Sequence, residues 1–143
     1  MRPAVLTLCI VNRIDALSPC MDQAEEFLAA HRVAAEDGVP VMVMLDEIAS
    51  NIIKAAWPPE EEHRFEVTLT IGPGGLLTLV SIDDGVSFDP TGRDPPDLEA
   101  ALEDRDIGGL GLFLVRQMSC SMEYSRLDGR NRLSVTKRVG GTV

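Results

Sequence analysis

Three short stretches of this 143-residue chain carry side chains that can do chemistry. In "DEIASNIIK", Glu47, Asn51 and Lys54 are spaced four and three apart, which puts them on one face of a helix. On a rigid element facing a cleft, such a carboxylate orients or deprotonates a nucleophile. The Asn oxygen is a hard ligand suited to Mg²⁺. The same face, roughly opposite the helix's apolar stripe, is equally a plain solvated surface. In "DDGVSFDP", Asp83 ends a strand and Gly85 permits a sharp turn. A carboxylate there accepts a hydrogen bond from an exocyclic amine such as that of adenine, although many ordinary turns contain Asp-x-Gly. Asp84, Asp89 and Asp94 read as solvated loop acids. In "IGGLGLFLV", Gly108, Gly109 and Gly111 stand at the threshold of an apolar helix. Free N–H groups and the positive end of a helix dipole, with no Cβ in the way, suit a phosphate. Close packing of the helix, or a hinge, explains the same glycines. The segment is no P-loop, because it lacks G-x-x-x-x-G-K-[ST]. It also fails the G-x-G-x-x-G spacing, at Leu114.

These stretches need elements to hold them. "AVLTLCIV" (4–11) reads as a buried strand. A helix follows over "SPCMDQAEEFLAAHRVAAEDG", capped by Ser18, with Pro19 in its first turn and Gly38 at its end. "VPVMVMLDEIASNIIKAAWPP" is a second helix, closed by Pro58 and Pro59. Its apolar positions are Val41, Met44, Leu45, Ile48, Ile52 and Ala55. Phe65, Val67, Leu69 and Ile71 alternate with polar residues as a one-sided strand. "GPGG" turns it, and Leu77–Ile82 returns as its hairpin partner. Residues 84–106, rich in Asp, Pro and Gly, form a long connection of the kind that often serves as a lid. "GLGLFLVRQMSC" is a third helix, and the chain closes as a hairpin around Asp128-Gly129. Strands joined by hairpins, with helices between, predict an α+β sandwich with an antiparallel or mixed sheet and helices on one face.

Composition narrows the function. Thirteen basic against 23 acidic residues give a net charge of −10, which disfavours direct binding to nucleic acid or to an anionic membrane. The run Ala4–Val11 is too short to span a bilayer. Cys9, Cys20 and Cys120 follow no framework spacing, which points to reduced thiols and a cytoplasmic setting. His31 and His63 lie far apart and suggest no metal cluster. The length suits one domain over 1–143.

Taken in order, Glu-x-x-x-Asn on a helix, Asp-x-Gly after a strand, a long connection and Gly-x-Gly opening a helix resemble the GHKL ATPase superfamily with its Bergerat fold. "LDEIASNIIKAAW", "DDGVSFDP" and "IGGLGLFLVRQM", with the closing "VTKRV" strand, are most similar to the anti-sigma-factor serine kinases (RsbW-like). The resemblance covers nearly the whole chain. It implies a two-layer sandwich of a mixed, mostly antiparallel sheet with helices on one face, and an ATP lid over about 86–107. It gives Glu47 the role of general base, Asn51 that of Mg²⁺ ligand and Asp83 that of adenine acceptor. Gly85 becomes the glycine that lets the base slide close. Gly109 and Gly111, with Gly108 beside them, become the phosphate cradle, and Arg105 a lid base reaching the terminal phosphates. Where relatives often carry His-Ala after the Asn helix, this chain has Ala55-Ala56. The lid acids Asp94, Asp97, Glu99, Glu103, Asp104 and Asp106 must point outward for ATP or ADP to bind. The implied function is an ATP-dependent serine-protein kinase and anti-sigma factor. It would phosphorylate a STAS-domain anti-anti-sigma protein, sequester a sigma factor and form a homodimer. A nucleotide-binding interaction module that transfers no phosphate is the alternative. A detached histidine-kinase catalytic domain ranks last, because no helix pair presents a phospho-accepting His.

Overall fold

Apolar residues on alternate positions of four strands share one face, and that face carries the core. Leu8 and Ile10, Phe65, Val67 and Leu69, Leu77 and Leu79, and Leu133 and Val135 are all buried. A computed structural model of the chain describes residues 3–89 and 107–140, with no side-chain description for 107–110. The strands are β1 (Ala4–Val11), β2 (Arg64–Ile71), β3 (Leu76–Asp83), β4 (Ser121–Leu127) and β5 (Arg130–Arg138). They form one sheet in the order β1-β2-β3-β5-β4, and all four pairings are antiparallel. The helices α1 (Leu17–Ala30), α2 (Ala35–Ala55) and α3 (Ile107–Met118) supply the facing layer. Leu28 of α1, Val41, Met44, Leu45 and Ile48 of α2, and Val115 of α3 complete the same core. The opposite positions of the central strands, such as Thr68, Thr78, Ser134 and Thr136, are only half-buried. The expected α+β two-layer sandwich is therefore the observed architecture.

Boundaries depart from expectation where a single residue type was read as punctuation. Gly38 does not end α1, which stops at Ala30. Gly38 lies buried in the first turn of α2, where a Cβ would sit 3.7 Å from Leu28 Cδ1. That is ordinary packing distance, so the start of α2 lies beside α1 with room for a methyl there. Ser18 does not cap α1: a short 3₁₀ turn, Ile14–Ala16, leads into the helix, and Ala16 is the N-cap with no side-chain bond. Helix α2 begins four residues earlier than expected and tolerates Pro40 within it, while Glu36 and Asp37 complement the dipole in its first turn. It ends at Ala55 rather than at the prolines. Ile53 joins the core, whereas Ala55 is exposed. The lid acids from Asp94 onward, and Arg105, lie outside the described residues.

Candidate active site

Asp83 closes β3 on its inward face and is almost fully buried, at 7% exposure. Its Oδ1 accepts from the Gly85 N–H at 2.9 Å and from Asn131 Nδ2 at 2.9 Å. Asn131 lies directly opposite it on β5, and Arg126 lies opposite Asn131 on β4. These three side chains thus form a row across three strands. Asn131 Nδ2 also donates to the Val86 carbonyl at 2.8 Å. Its Oδ1 accepts from the Tyr124 hydroxyl and from Arg126 Nη1. Arg126 reaches the Gly85 carbonyl as well, at 3.0 Å. Among the described residues, no donor bonds Asp83 Oδ2.

The turn after Asp83 is pinned to the end of α2. Val86 N–H donates to the Ala56 carbonyl at 2.9 Å, and an added Cβ at Gly85 would stand 2.5 Å from the Ala56 Cβ. The close approach that Gly85 permits is therefore to the helix. Asp84 is not a merely solvated acid, because its Oδ1 accepts from Trp57 Nε1 at 3.1 Å. These contacts shape a partly open cavity. Ile48, Asn51 and Ile52 of α2 form one wall, Asp83 and Asn131 the floor, and Leu112 of α3 closes one side. Aliphatic walls with one buried carboxylate suit a flat heteroaromatic ring that carries an amine.

Asn51 borders this cavity and also a second depression lined by Ile14, Leu17, Asp46, Glu47, Ser50 and Lys54. Asn51 thus stands on the shared rim, at the edge of the polar face of α2. Asn51 Nδ2 donates to the Glu47 carbonyl one turn back, at 2.6 Å. That bond turns Oδ1 away from the backbone as a hard oxygen donor, which fits Mg²⁺. Burial raises the Glu47 carboxyl above the ordinary carboxylate range; the neighbouring Asp46 adds to the shift and Lys54 opposes it.

Glu47 packs against α3. An added Cβ at Gly111 would collide with Glu47 Oε2 and lie 2.6 Å from its Cδ. The three glycines do not precede α3. They lie inside its first two turns, and Gly111 serves close contact between two helices. Gly108 and Gly109 keep the helical backbone positions of the first turn. The structure thus brings Asn51 and Asp83 to one cavity, with Glu47 and Gly111 in contact beside it. Tyr124, Arg126 and Asn131 were not anticipated. The Asp128-Gly129 turn, positive in φ at both residues, was the available signal, since a two-residue hairpin sets Arg126 opposite Asn131.

The profile of the histidine kinase-like ATPase domain matches residues 10–137. The chain belongs to this family. Within this ATPase domain, 91 residues are 34% identical to the serine/threonine-protein kinase BtrW of Bordetella bronchiseptica. The match covers 64% of this chain and 63% of that protein, so this ATPase domain aligns with under two thirds of its curated relative. The RsbU and RsbW domains of Rv1364c from Mycobacterium tuberculosis share its fold at a TM-score of 0.69 and 15% identity, over 95% of this chain and 32% of that one. The SiaB–SiaC complex of Pseudomonas aeruginosa gives 0.60 at 18% identity, over 93% and 89%. No described helix is long and apolar enough to cross a membrane.

Proposed function

We propose that this ATPase domain is an ATP-dependent serine-protein kinase and anti-sigma factor. In this reading it phosphorylates a serine on a STAS-domain antagonist and, in the alternate state of a partner switch, holds a sigma factor. The single observation that carries the reading is Asn51 on the shared rim, with the Asp83 cavity on one side and Glu47 on the other. The adenine ring enters the cavity and its amine donates to Asp83 Oδ2. Asn51 Oδ1 faces the phosphates and would hold Mg²⁺, which supplies charge neutralisation for the triphosphate. Glu47 orients the acceptor hydroxyl and takes its proton. Its raised carboxyl makes it a stronger base than an exposed glutamate, and in a loose transition state positioning is most of what the protein contributes.

Similarity to BtrW, named a serine/threonine-protein kinase, supports transfer to a hydroxyl side chain. The dimeric state, the sigma factor and a cytoplasmic setting belong to the same proposal. The test is intact-mass spectrometry of STAS-domain proteins from the same genome after incubation with this chain and Mg-ATP. A single phosphate on serine is expected, and lost with Glu47→Gln. Nucleotide binding without any transfer would leave the interaction-module reading instead.

A further inference from the structure

The row Arg126–Asn131–Asp83 sets a direction of hydrogen bonding. An asparagine amide has two ends of nearly equal shape, one a double donor and one a double acceptor. Arg126 can only donate, so the Asn131 atom 2.9 Å from its Nη1 is the oxygen. The amide nitrogen then points at Asp83 Oδ1 and the Val86 carbonyl, and all four hydrogen-bonding valences of Asn131 are used. Asp83 Oδ1 is filled by two donors, and the carboxylate meets the cavity as an acceptor. An Asn131 turned over would set oxygen against oxygen at both Asp83 and Val86. Asp83 and Val86 hold the nitrogen end and Arg126 and Tyr124 the oxygen end, and the second bond of Arg126, to the Gly85 carbonyl, ties it to the turn after Asp83.

We propose that Arg126, acting through Asn131, holds the Asp83 carboxylate with Oδ2 toward the cavity and so sharpens the site's preference for 6-amino over 6-oxo purine nucleotides. The inference rests on the reading of the cavity as a purine-nucleotide site. A 6-amino group donates to Asp83, whereas a 6-oxo group brings a second acceptor against it. Arg126 and Asn131 are positioning residues, because neither must touch the nucleotide to exert this effect.

The test is calorimetric titration of the full chain with Mg-ATP and Mg-GTP, with melting temperature as a check on folding. Wild type should bind ATP well over tenfold tighter than GTP. Arg126→Met keeps the apolar stem and removes the donors. It should weaken ATP binding about tenfold, the scale of one hydrogen bond to a charged group, and shrink the ATP-to-GTP ratio by a similar factor. Arg126→Lys, which retains a donor, should restore part of the ratio. Asn131→Asp keeps a partner for Arg126 and Tyr124 but cannot donate to Asp83, and should weaken ATP at least as much. A merely structural loosening weakens both nucleotides alike, so an unchanged ratio in folded Arg126→Met overturns the proposal. If wild type binds neither nucleotide, the purine-site reading fails and this inference with it. If it binds ATP selectively while Arg126→Met and Asn131→Asp do so equally well, only the inference fails.

Discussion

At the sheet end of the cleft, Asp83, Asn131 and Arg126 sit side by side on three strands and bond one another, the following turn and Tyr124. At the helix end, Glu47 and Asn51 stand on one surface of α2. Among the described residues, the Asn51 amide bonds the Glu47 carbonyl and the Glu47 carboxylate packs against Gly111 of α3. The sheet end is held by bonds between side chains of three strands. The helix end depends on how two helices lie against each other. In the proposed reading, base recognition lies in the hydrogen-bonded sheet layer, and the phosphate and acceptor chemistry lies at the contact between two helices.

The contrast can be broken at either end. Glu47→Gln should have the largest effect, lowering phosphoryl transfer by about 10²–10⁴-fold, the usual contribution of a positioned base, with ATP affinity within a few-fold of wild type. Single-turnover transfer and titration together separate the two. Asp83→Asn strikes the other end: losing the charged acceptor should weaken ATP by about 1.5–3 kcal/mol, roughly 10- to 150-fold, as read by calorimetry. Gly111→Ala tests the helix contact. The new methyl must displace the Glu47 carboxylate, so transfer should fall about tenfold or more while ATP binding falls less, on the scale of a small misplacement of a catalytic group. Equal losses in binding and transfer would mean that Gly111 serves the nucleotide rather than Glu47.

The smallest effect is on stability. Because the fold raises the Glu47 carboxyl, the native state holds that proton more tightly than the unfolded chain. Stability from this group is present below its ordinary value of 4.5 and is lost as pH rises through the raised one. Glu47→Gln removes the burden of a buried charge. Its melting temperature should therefore equal or exceed that of wild type near neutral pH, with the difference shrinking toward acid pH. A variant that melts lower at neutral pH and converges only at high pH would reverse the sign.

Much of this was legible from residue order. Period-two alternation in 65–71 identifies the inward face of β2, and the observed burial follows it. The spacing of Glu47 and Asn51 on α2 and the position of Asp83 at a strand end also hold. What failed was local punctuation overruled by packing. Gly38 and Gly111 look like an end and a beginning, yet each sits inside a helix, and at Gly111 the neighbouring helix fills the space a Cβ would take. Asn131 was invisible for a different reason. The hairpin turn sets its register against Arg126, but its pairing with Asp83 is made by a strand 48 positions away in sequence, and no local pattern reports that.

The central claim is that one nucleotide spans both ends of the cleft. Titration of ATP with and without Mg²⁺ against wild type, Asp83→Asn and Asn51→Ala tests it most directly. Asp83→Asn should weaken binding under both conditions, whereas Asn51→Ala should abolish most of the gain from Mg²⁺ and leave the metal-free affinity near wild type. Full Mg²⁺ dependence retained in Asn51→Ala, or undiminished ATP affinity in Asp83→Asn, would contradict it.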